Sequence, residues 1–189
     1  PTVWDENAKG YVQPFADNPL DDEAVGETVY LNLINKAKRY VYITTPYLIL
    51  SSEMLTALTS AAKCGVDVRI ITPHIPDKWY VHAVSRSHYQ TLIEAGVKIY
   101  EYTPGFIHAK TFVVDDNYAV VGTINLDYRS LYLHFECSAL LYGGRVLEDI
   151  RADLAGIERE SKRLGLEDCR TGFLGTMCSA VLRLLAPLC

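Results

Sequence analysis

The strongest constraint on the fold is a regular alternation of two kinds of segment between about residues 21 and 163. Runs rich in β-branched and aromatic residues predict strands, and longer segments between them carry helix caps and stops. The predicted strands are residues 39–44, 66–72, 97–102, 108–114, 118–122 and 134–142. The predicted helices are residues 21–38, 51–64, 81–95 and 145–163. This alternation predicts an α/β sandwich, with a mixed sheet because residues 115–117 join two late strands as a hairpin.

Capping residues and glycines indicate where the predicted helices begin and end. Asp21 or Asp22 is a candidate N-cap for the first helix, and Ser51 and Ser52 are candidate N-caps for the second. Gly65 and Gly96 follow the second and third helices, where a glycine commonly ends a helix. Local sequence therefore predicts both the elements and their order.

Composition excludes several classes of protein. With 49% hydrophobic and 22% charged residues, the chain has enough apolar material for a folded core. Its net charge of -5 argues against non-specific nucleic-acid binding, although a small basic pocket stays compatible with it. The five cysteines have irregular spacings, which favour neither a disulfide framework nor a zinc site. We therefore expect a reducing compartment, no nucleic-acid partner, and no metal or other cofactor.

The chain is predicted to contain one domain and a tail. Residues 1–168 form the predicted catalytic domain, and residues 169–189 form an apolar, helical tail. The tail could pack on this domain, on a missing domain or on a membrane surface, and packing within the protein is favoured. Its apolar stretch contains Arg183 and is too short to predict a membrane span. The chain begins at Pro1, so we expect it to be a piece of a longer protein.

A histidine and a lysine two residues apart form the candidate reactive pair. On a strand, His108 and Lys110 would point to the same face, about 7 Å apart. A neutral imidazole can attack phosphorus, and a neighbouring ammonium can stabilise charge on the phosphate oxygens. The pair therefore indicates phosphate chemistry, although a lone His-x-Lys pair is usually structural.

Four further residues complete the candidate site. Asp115 has the opposite strand parity, which favours a supporting role in the turn or in binding backbone N–H groups. Thr123 and Asn125 follow a glycine at a strand end and are neutral donors for a phosphate. Glu136 is the acid predicted to orient the imidazole of His108, since a nucleophilic histidine needs its other nitrogen held. Tyr47, Phe106 and Tyr128 could line the mouth of this site or be ordinary core aromatics.

The segment from His108 to Asn125 matches the pattern H-x-K-x4-D-x6-G-[ST]-x-N at every specified position. This pattern resembles the HKD motif of the phospholipase D superfamily. Segments on both sides of the motif are similar to the second catalytic half of bacterial cardiolipin synthases. These segments are residues 43–47, 65–71, 95–102, 104–108, 125–130 and 184–188.

The resemblance implies a phospholipase D-like α-β-α sandwich and an enzyme with two facing HKD motifs. It assigns His108, Lys110, Asp115 and Glu136 to catalysis, and Lys110, Thr123 and Asn125 to phosphate binding. The implied reaction converts two phosphatidylglycerol molecules into cardiolipin and glycerol through a phosphohistidine. Either of the two motif histidines could be the nucleophile. The resemblance implies that the parent protein lies at the cytoplasmic face of the bacterial membrane. The fragment itself is expected to be soluble.

The sequence contains one such motif, so it predicts half of a site. The other half would come from the N-terminal part of the same polypeptide or from a second copy of this domain. A first alternative is a single-motif nuclease or phosphodiesterase that is active as a homodimer. A second alternative is a folded half-domain that is inactive in isolation.

Overall fold

The computed structural model describes residues 9–21 and 23–169, which build one mixed sheet between two layers of helices. The strands are β1 (Tyr11–Asp17), β2 (Tyr40–Thr44), β3 (Asp67–Pro73), β4 (Lys98–Tyr102), β5 (Thr111–Val114), β6 (Tyr118–Gly122), β7 (Glu136–Tyr142) and β8 (Ser161–Arg163). The helices are α1 (Val25–Lys36), α2 (Ser52–Lys63), α3 (Trp79–Glu94), α4 (Val146–Arg159) and α5 (Leu166–Cys169), and a π-helical segment spans Arg129–Leu133. The predicted α/β sandwich is confirmed.

The eight strands lie in the order β1-β7-β6-β5-β2-β3-β4-β8. The central strands β2, β3 and β4 are parallel, and the helices α2 and α3 connect them. The strands β5, β6, β7 and β1 continue the sheet in antiparallel pairs, so the predicted mixed sheet is also confirmed.

This topology collects several loops at one edge of the sheet. Thr44 at the end of β2 pairs with Thr111 at the start of β5, which in turn pairs with Val121 near the end of β6. Gly122 at the end of β6 pairs with Ser138 near the start of β7. We call this the motif edge, formed by the ends of β2, β3, β4 and β6 and the starts of β5 and β7.

Buried side chains on both faces of the sheet hold the helices in place. On one face, α1, α2 and α3 cover the larger core, in which Tyr89 and Phe112 are among the largest fully buried side chains. On the other face, α4 packs Leu147 and Leu154 against Val113 of β5. Burial of this kind contributes roughly 1.5–3 kcal/mol for each large apolar side chain. The sheet beneath the motif edge is therefore rigidly supported from both sides.

The predicted ends of α2 and α3 agree with the structure. Ser51 caps α2 by accepting a hydrogen bond from the backbone N–H of Met54 at 3.1 Å. Gly65 and Gly96 follow α2 and α3 with positive φ angles of 91° and 100°, a conformation that costs glycine little.

The predicted start of the first helix was wrong. The helix α1 begins at Val25, and its first N–H groups donate to the carboxylate of Asp17, at 3.3 Å from Val25 and 2.7 Å from Gly26. Asp21 instead accepts a hydrogen bond from the N–H of Glu23, and residue 22 lies outside the described residues. The cap therefore comes from the end of β1, a strand that the sequence did not predict.

Other boundaries also differ from the predictions. The strand β5 begins at Thr111 rather than at His108, and β7 begins at Glu136 rather than at His134. The last predicted helix ends at Arg159, after which the short strand β8 pairs with β4. After Cys169 the predicted tail lies outside the described residues, so it stays a prediction. None of the described helices is long and apolar enough to cross a bilayer.

Candidate functional site

His108 and Lys110 meet in the segment that leads into β5. The amine Nζ of Lys110 lies 3.0 Å from Nδ1 and 3.1 Å from Nε2 of His108, and 2.8 Å from the carbonyl oxygen of His108. Because β5 begins only at Thr111, these contacts do not depend on strand alternation. His108 is exposed and Lys110 is partly buried, so the pair faces an open part of the motif edge.

An open cleft of about 550 Å³ contains this pair and most of the other predicted site residues. The cleft is lined by His108, Ala109, Lys110, Thr111, Val121, Gly122, Thr123, Asn125 and Glu136. Five of the six predicted site residues are therefore brought together, and Asp115 is not among them.

Gly122 allows β6 to pass close to β7 beside the cleft. A β-carbon at this position would collide with the side-chain oxygen of Ser138 and the carbonyl oxygen of Cys137. The close approach lets Thr123 hydrogen-bond with the backbone of Cys137, whose N–H donates to Thr123 Oγ1 at 3.0 Å. The glycine of the motif therefore fixes the position of Thr123.

Glu136 contacts hydroxyl groups rather than the imidazole of His108. Its carboxylate accepts hydrogen bonds from Thr123 Oγ1 and, at 2.6 Å, from Ser130 Oγ. Its oxygen Oε1 also lies 4.0 Å from Nδ1 of His134. Within residues 9–21 and 23–169, no hydrogen bond joins Glu136 to His108, so the orienting role stays a prediction.

Asn125 presents an unsatisfied amide oxygen next to this network. Its backbone N–H donates to Ser130 Oγ at 2.9 Å. Its side-chain Oδ1 is buried and has no hydrogen-bond partner within the described residues. Buried polar atoms normally have a partner, so this oxygen is an exception. Asn125 also lines the cleft, so it is part of the surface that a ligand would meet.

Asp115 lies at the opposite end of β5, away from the cleft. Its carboxylate accepts backbone hydrogen bonds from Lys38 at 2.7 Å, and from Arg39 and Tyr40 at 2.8 Å each. These bonds lower the pKa of Asp115 against the opposing effect of its burial. Asp115 therefore anchors the start of β2 to the end of β5, which is the kind of backbone contact that its strand parity predicts.

Electrostatics favour the neutral form of the imidazole. Partial shielding from water and the positive charge of Lys110 lower the pKa of His108, while the carboxylate of Asp77 raises it. Burial likewise lowers the pKa of Lys110, and the negative charges of Glu136 and Asp127 raise it. A histidine in this setting can act as a nucleophile near neutral pH.

Three residues near the cleft escaped the sequence analysis. Ser130 and Asp127 belong to the segment 125–130 that carried the family resemblance, and the N–H of Ser130 donates to Asp127 at 2.7 Å. Burial raises the pKa of Asp127, which is 5% exposed. Asp77 lies in a loop without any periodic signal, so only the three-dimensional fold shows that its charge acts on His108.

Comparison with known sequences places most of the chain in one family. The description "Cardiolipin synthase, PLD-like domain" matches residues 30–157, a range that includes every predicted site residue. Cardiolipin synthase of Geobacillus kaustophilus is 39% identical over 189 residues, covering 100% of this chain and 38% of that protein. An uncharacterized protein of Streptococcus mutans is 53% identical over 182 residues, covering 96% of this chain and 40% of that protein. The chain thus spans about two fifths of the length of the curated relatives it matches.

Solved structures share the fold at low sequence identity. The phosphatidylserine synthase of Haemophilus influenzae superimposes with a TM-score of 0.76 and 17% identity, covering 94% of this chain and 48% of that chain. The phospholipase D family member Nuc of Salmonella typhimurium superimposes with a TM-score of 0.70 and 17% identity, covering 82% of this chain and 99% of that chain. These similarities establish the architecture of the sheet and its helices.

Proposed function

The chain belongs to the cardiolipin synthase, PLD-like domain family, and on that premise we propose that it supplies one half-site of a phosphatidyltransferase. The proposed reaction joins two phosphatidylglycerol molecules into cardiolipin and releases glycerol. Since the chain spans about two fifths of its curated relatives, the activity is proposed for an assembly that contains two half-sites.

The observation that carries this proposal is the contact between Lys110 and both ring nitrogens of His108, at 3.0 and 3.1 Å, inside the motif-edge cleft. The cleft also holds two neutral groups, the hydroxyl of Thr123 and the amide of Asn125. A phosphodiester needs such a set, because its anionic oxygens require positive charge and donors while its phosphorus requires a nucleophile.

In the first step, one motif histidine attacks the phosphorus of phosphatidylglycerol. A bond forms between nitrogen and phosphorus as the bond to the glycerol oxygen breaks, and the opposing histidine gives its proton to the departing glycerol. Lys110 would move from the imidazole to the non-bridging oxygens, where its charge stabilises the transition state. This charge and its counterpart in the other half-site make a metal ion unnecessary in the proposed mechanism.

In the second step, a glycerol hydroxyl of another phosphatidylglycerol attacks the phosphohistidine. The oxygen–phosphorus bond forms as the phosphorus–nitrogen bond breaks, and its electron pair returns to the imidazole. The hydroxyl proton goes to the opposing histidine, which restores both half-sites. Water must be scarce at this stage, because it would compete with the acceptor hydroxyl.

The proposed partners follow from the incomplete site and the lipid substrate. The second half-site would come from the N-terminal half of the same polypeptide or from a second copy of this domain. The substrate would be reached at a membrane surface, on the cytoplasmic face of the bacterial membrane.

A lipid assay on size-separated protein tests the proposal. The chain is fractionated by gel filtration, and each fraction is incubated with phosphatidylglycerol vesicles while cardiolipin is measured. We expect synthesis only in fractions that contain two half-sites, and none from a monomer, whose site is incomplete. Full synthase activity from a strictly monomeric chain would contradict the two-half mechanism.

A single-motif phosphodiesterase that works as a homodimer is the second candidate. The observation in its favour is that the chain carries one HKD motif, so two copies are needed to pair His108 with another histidine. Incubation of the dimeric fraction with bis(p-nitrophenyl) phosphate and with plasmid DNA separates the two candidates. Robust DNA cleavage without cardiolipin synthesis would favour the phosphodiesterase.

A further inference from the structure

A loop carboxylate near the motif edge acts electrostatically on the motif histidine. Asp77 lies between β3 and α3, and its negative charge raises the pKa of His108. Asp77 is exposed, and within residues 9–21 and 23–169 it forms no ion pair. A carboxylate without a cation is a poor neighbour for the phosphate that the cleft is proposed to bind, because like charges repel. The charge of Asp77 therefore suits a ligand group other than the phosphate.

Aromatic rings connect this carboxylate to His108. The hydroxyl of Tyr47 donates to Asp77 Oδ2 at 2.6 Å. The ring of Tyr47 lies 6.4 Å from the ring of Phe106, which lies 5.7 Å from the imidazole of His108. These rings form a continuous wall that leads from the proposed phosphorus site to Asp77.

The wall is fixed by packing against α3. Tyr47 packs on a small core of Ile49, Val81 and Val84, of which the latter two lie in the first turns of α3. Burial raises the pKa of the Tyr47 hydroxyl, and the adjacent Asp77 raises it further. The hydroxyl therefore stays protonated and continues to hold one oxygen of Asp77.

The second oxygen of Asp77 is open to a ligand. The hydrogen bond from Tyr47 uses Oδ2, and no described residue donates to Oδ1. An ionised carboxylate can only accept hydrogen bonds, so it selects ligands that carry O–H or N–H donors. It disfavours a second phosphate in the same place.

We propose that Asp77, held by Tyr47, binds the polar head-group alcohol of the phospholipid whose phosphorus meets His108. This inference rests on the proposed function and adds the substrate class of one subsite. The shared chemistry is a hydrogen-bond donor, which is a hydroxyl in a glycerol head group and an ammonium in an ethanolamine head group. A held alcohol would also compete better with water for the phosphohistidine, since orientation raises its effective concentration.

Binding of soluble phosphodiesters to the 189-residue chain tests the inference without requiring turnover. Three probes are titrated and followed by NMR: methyl glyceryl phosphate, methyl aminoethyl phosphate and dimethyl phosphate, the last of which (the methyl probe) carries no hydrogen-bond donor. The wild type should bind one donor-bearing probe about tenfold more tightly than the methyl probe, which is the effect of one hydrogen bond to a charged group. The probe with the larger advantage identifies the source of the head group.

Variants at the subsite should change this preference rather than overall affinity. Asp77→Asn should reduce the tenfold ratio to about twofold or less, while binding of the methyl probe stays equal or improves because a repulsion is removed. Tyr47→Phe should give an intermediate ratio, since Asp77 loses its anchor. Asp153→Asn, on the exposed face of α4, is the matched control and should leave the ratio unchanged.

Two kinds of failure are distinguishable in this experiment. A wild-type preference that persists in Asp77→Asn, with a native spectrum, would overturn the inference alone, as would equal binding of all three probes. If no probe binds the wild type, or if Lys110→Gln leaves the binding of every probe unchanged, the proposed phosphate site fails and the inference fails with it.

Discussion

The two ends of β5 carry the same motif but differ in how completely their polar groups are satisfied. At the end of β5, the buried carboxylate of Asp115 accepts three backbone hydrogen bonds and does not line the motif-edge cleft. Before its start, exposed His108 and partly buried Lys110 contact each other and line an open cleft, where the amide oxygen of Asn125 has no partner among the described residues. The comparison shows that hydrogen-bond saturation distinguishes the end of the motif that supports the fold from the end that is proposed to bind phosphate.

The largest expected effect is on activity, at the open end. His108→Ala in the assembled two-half enzyme should lower cardiolipin synthesis by about 10³-fold or more, because the nucleophile or its proton-transfer partner is lost. Its free energy of unfolding should change by only about 0.5 kcal/mol, since the side chain is exposed. Lipid analysis and urea unfolding measure the two quantities. Wild-type turnover in His108→Ala would reject the assignment.

At Asp115, after the end of β5, a substitution is expected to lower stability, in contrast to the small stability change expected for His108→Ala. Asp115→Ala should destabilise the fold by roughly 3 kcal/mol, because one buried and two partly buried N–H groups lose a charged acceptor. Asp115 also has a positive φ of 55°, which asparagine tolerates better than alanine. Asp115→Asn should therefore cost less than Asp115→Ala in urea unfolding. A stability loss in Asp115→Ala as small as that of His108→Ala would remove the distinction between the two ends.

Glu136 combines features of both ends of β5. Its carboxylate accepts hydrogen bonds from two hydroxyl groups, as Asp115 does from backbone N–H groups, and it also lines the cleft, as His108 does. Glu136→Gln should lower activity by about tenfold, because the amide keeps a hydrogen-bond acceptor but removes a negative charge that raises the pKa of Lys110. Steady-state kinetics should show this loss, and Glu148→Gln on α4 provides the exposed control. A loss as complete as that of His108→Ala would indicate that Glu136 acts directly on the reacting atoms.

The smallest effect is the dependence of stability on acid. The folded-state pKa of Asp115 lies below its unfolded value, so its stabilisation is present above pH ~4 and is lost as pH falls through the folded pKa. Asp67, whose pKa is lowered to about 2 by Arg69 and Lys98 against its burial, loses stabilisation in the same direction. Asp115→Asn should therefore show a shallower loss of stability below pH ~4 than the wild type. Parallel pH profiles for the two proteins would contradict the role of the Asp115 charge.

Much of the fold could be predicted because local signals agree with the tertiary structure. The cap at Ser51 and the glycines after α2 and α3 act within a few residues of themselves. The strand β1 was missed because Pro14 interrupts its pattern, and a proline is tolerated there only because β1 is an edge strand. The cap of α1 was missed for the same reason, since Asp17 reaches α1 from the end of that strand.

The site could be predicted from the motif and from one acid on the next predicted strand. Motif spacing identified several residues that line the cleft, the next strand supplied Glu136, and strand parity indicated that Asp115 points elsewhere. The partners of Glu136 could not be read from the sequence, because Thr123 and Ser130 reach it through the pairing of β6 with β7 and through the π-helical segment. Asp77 belongs to no sequence motif, and its electrostatic effect on His108 depends on where the fold places the loop before α3.

The position of Lys110 makes the reactivity of His108 conditional. An amine that lies against both ring nitrogens occupies the lone pair with which an imidazole would attack an electrophile. In the ligand-free protein the imidazole of His108 is therefore blocked from attack, although its surroundings favour the neutral ring. An anion that draws the amine of Lys110 away would free the lone pair of the imidazole. In the proposed mechanism, the phosphate of the substrate would therefore activate the histidine. Electrophiles without a negative charge would react slowly.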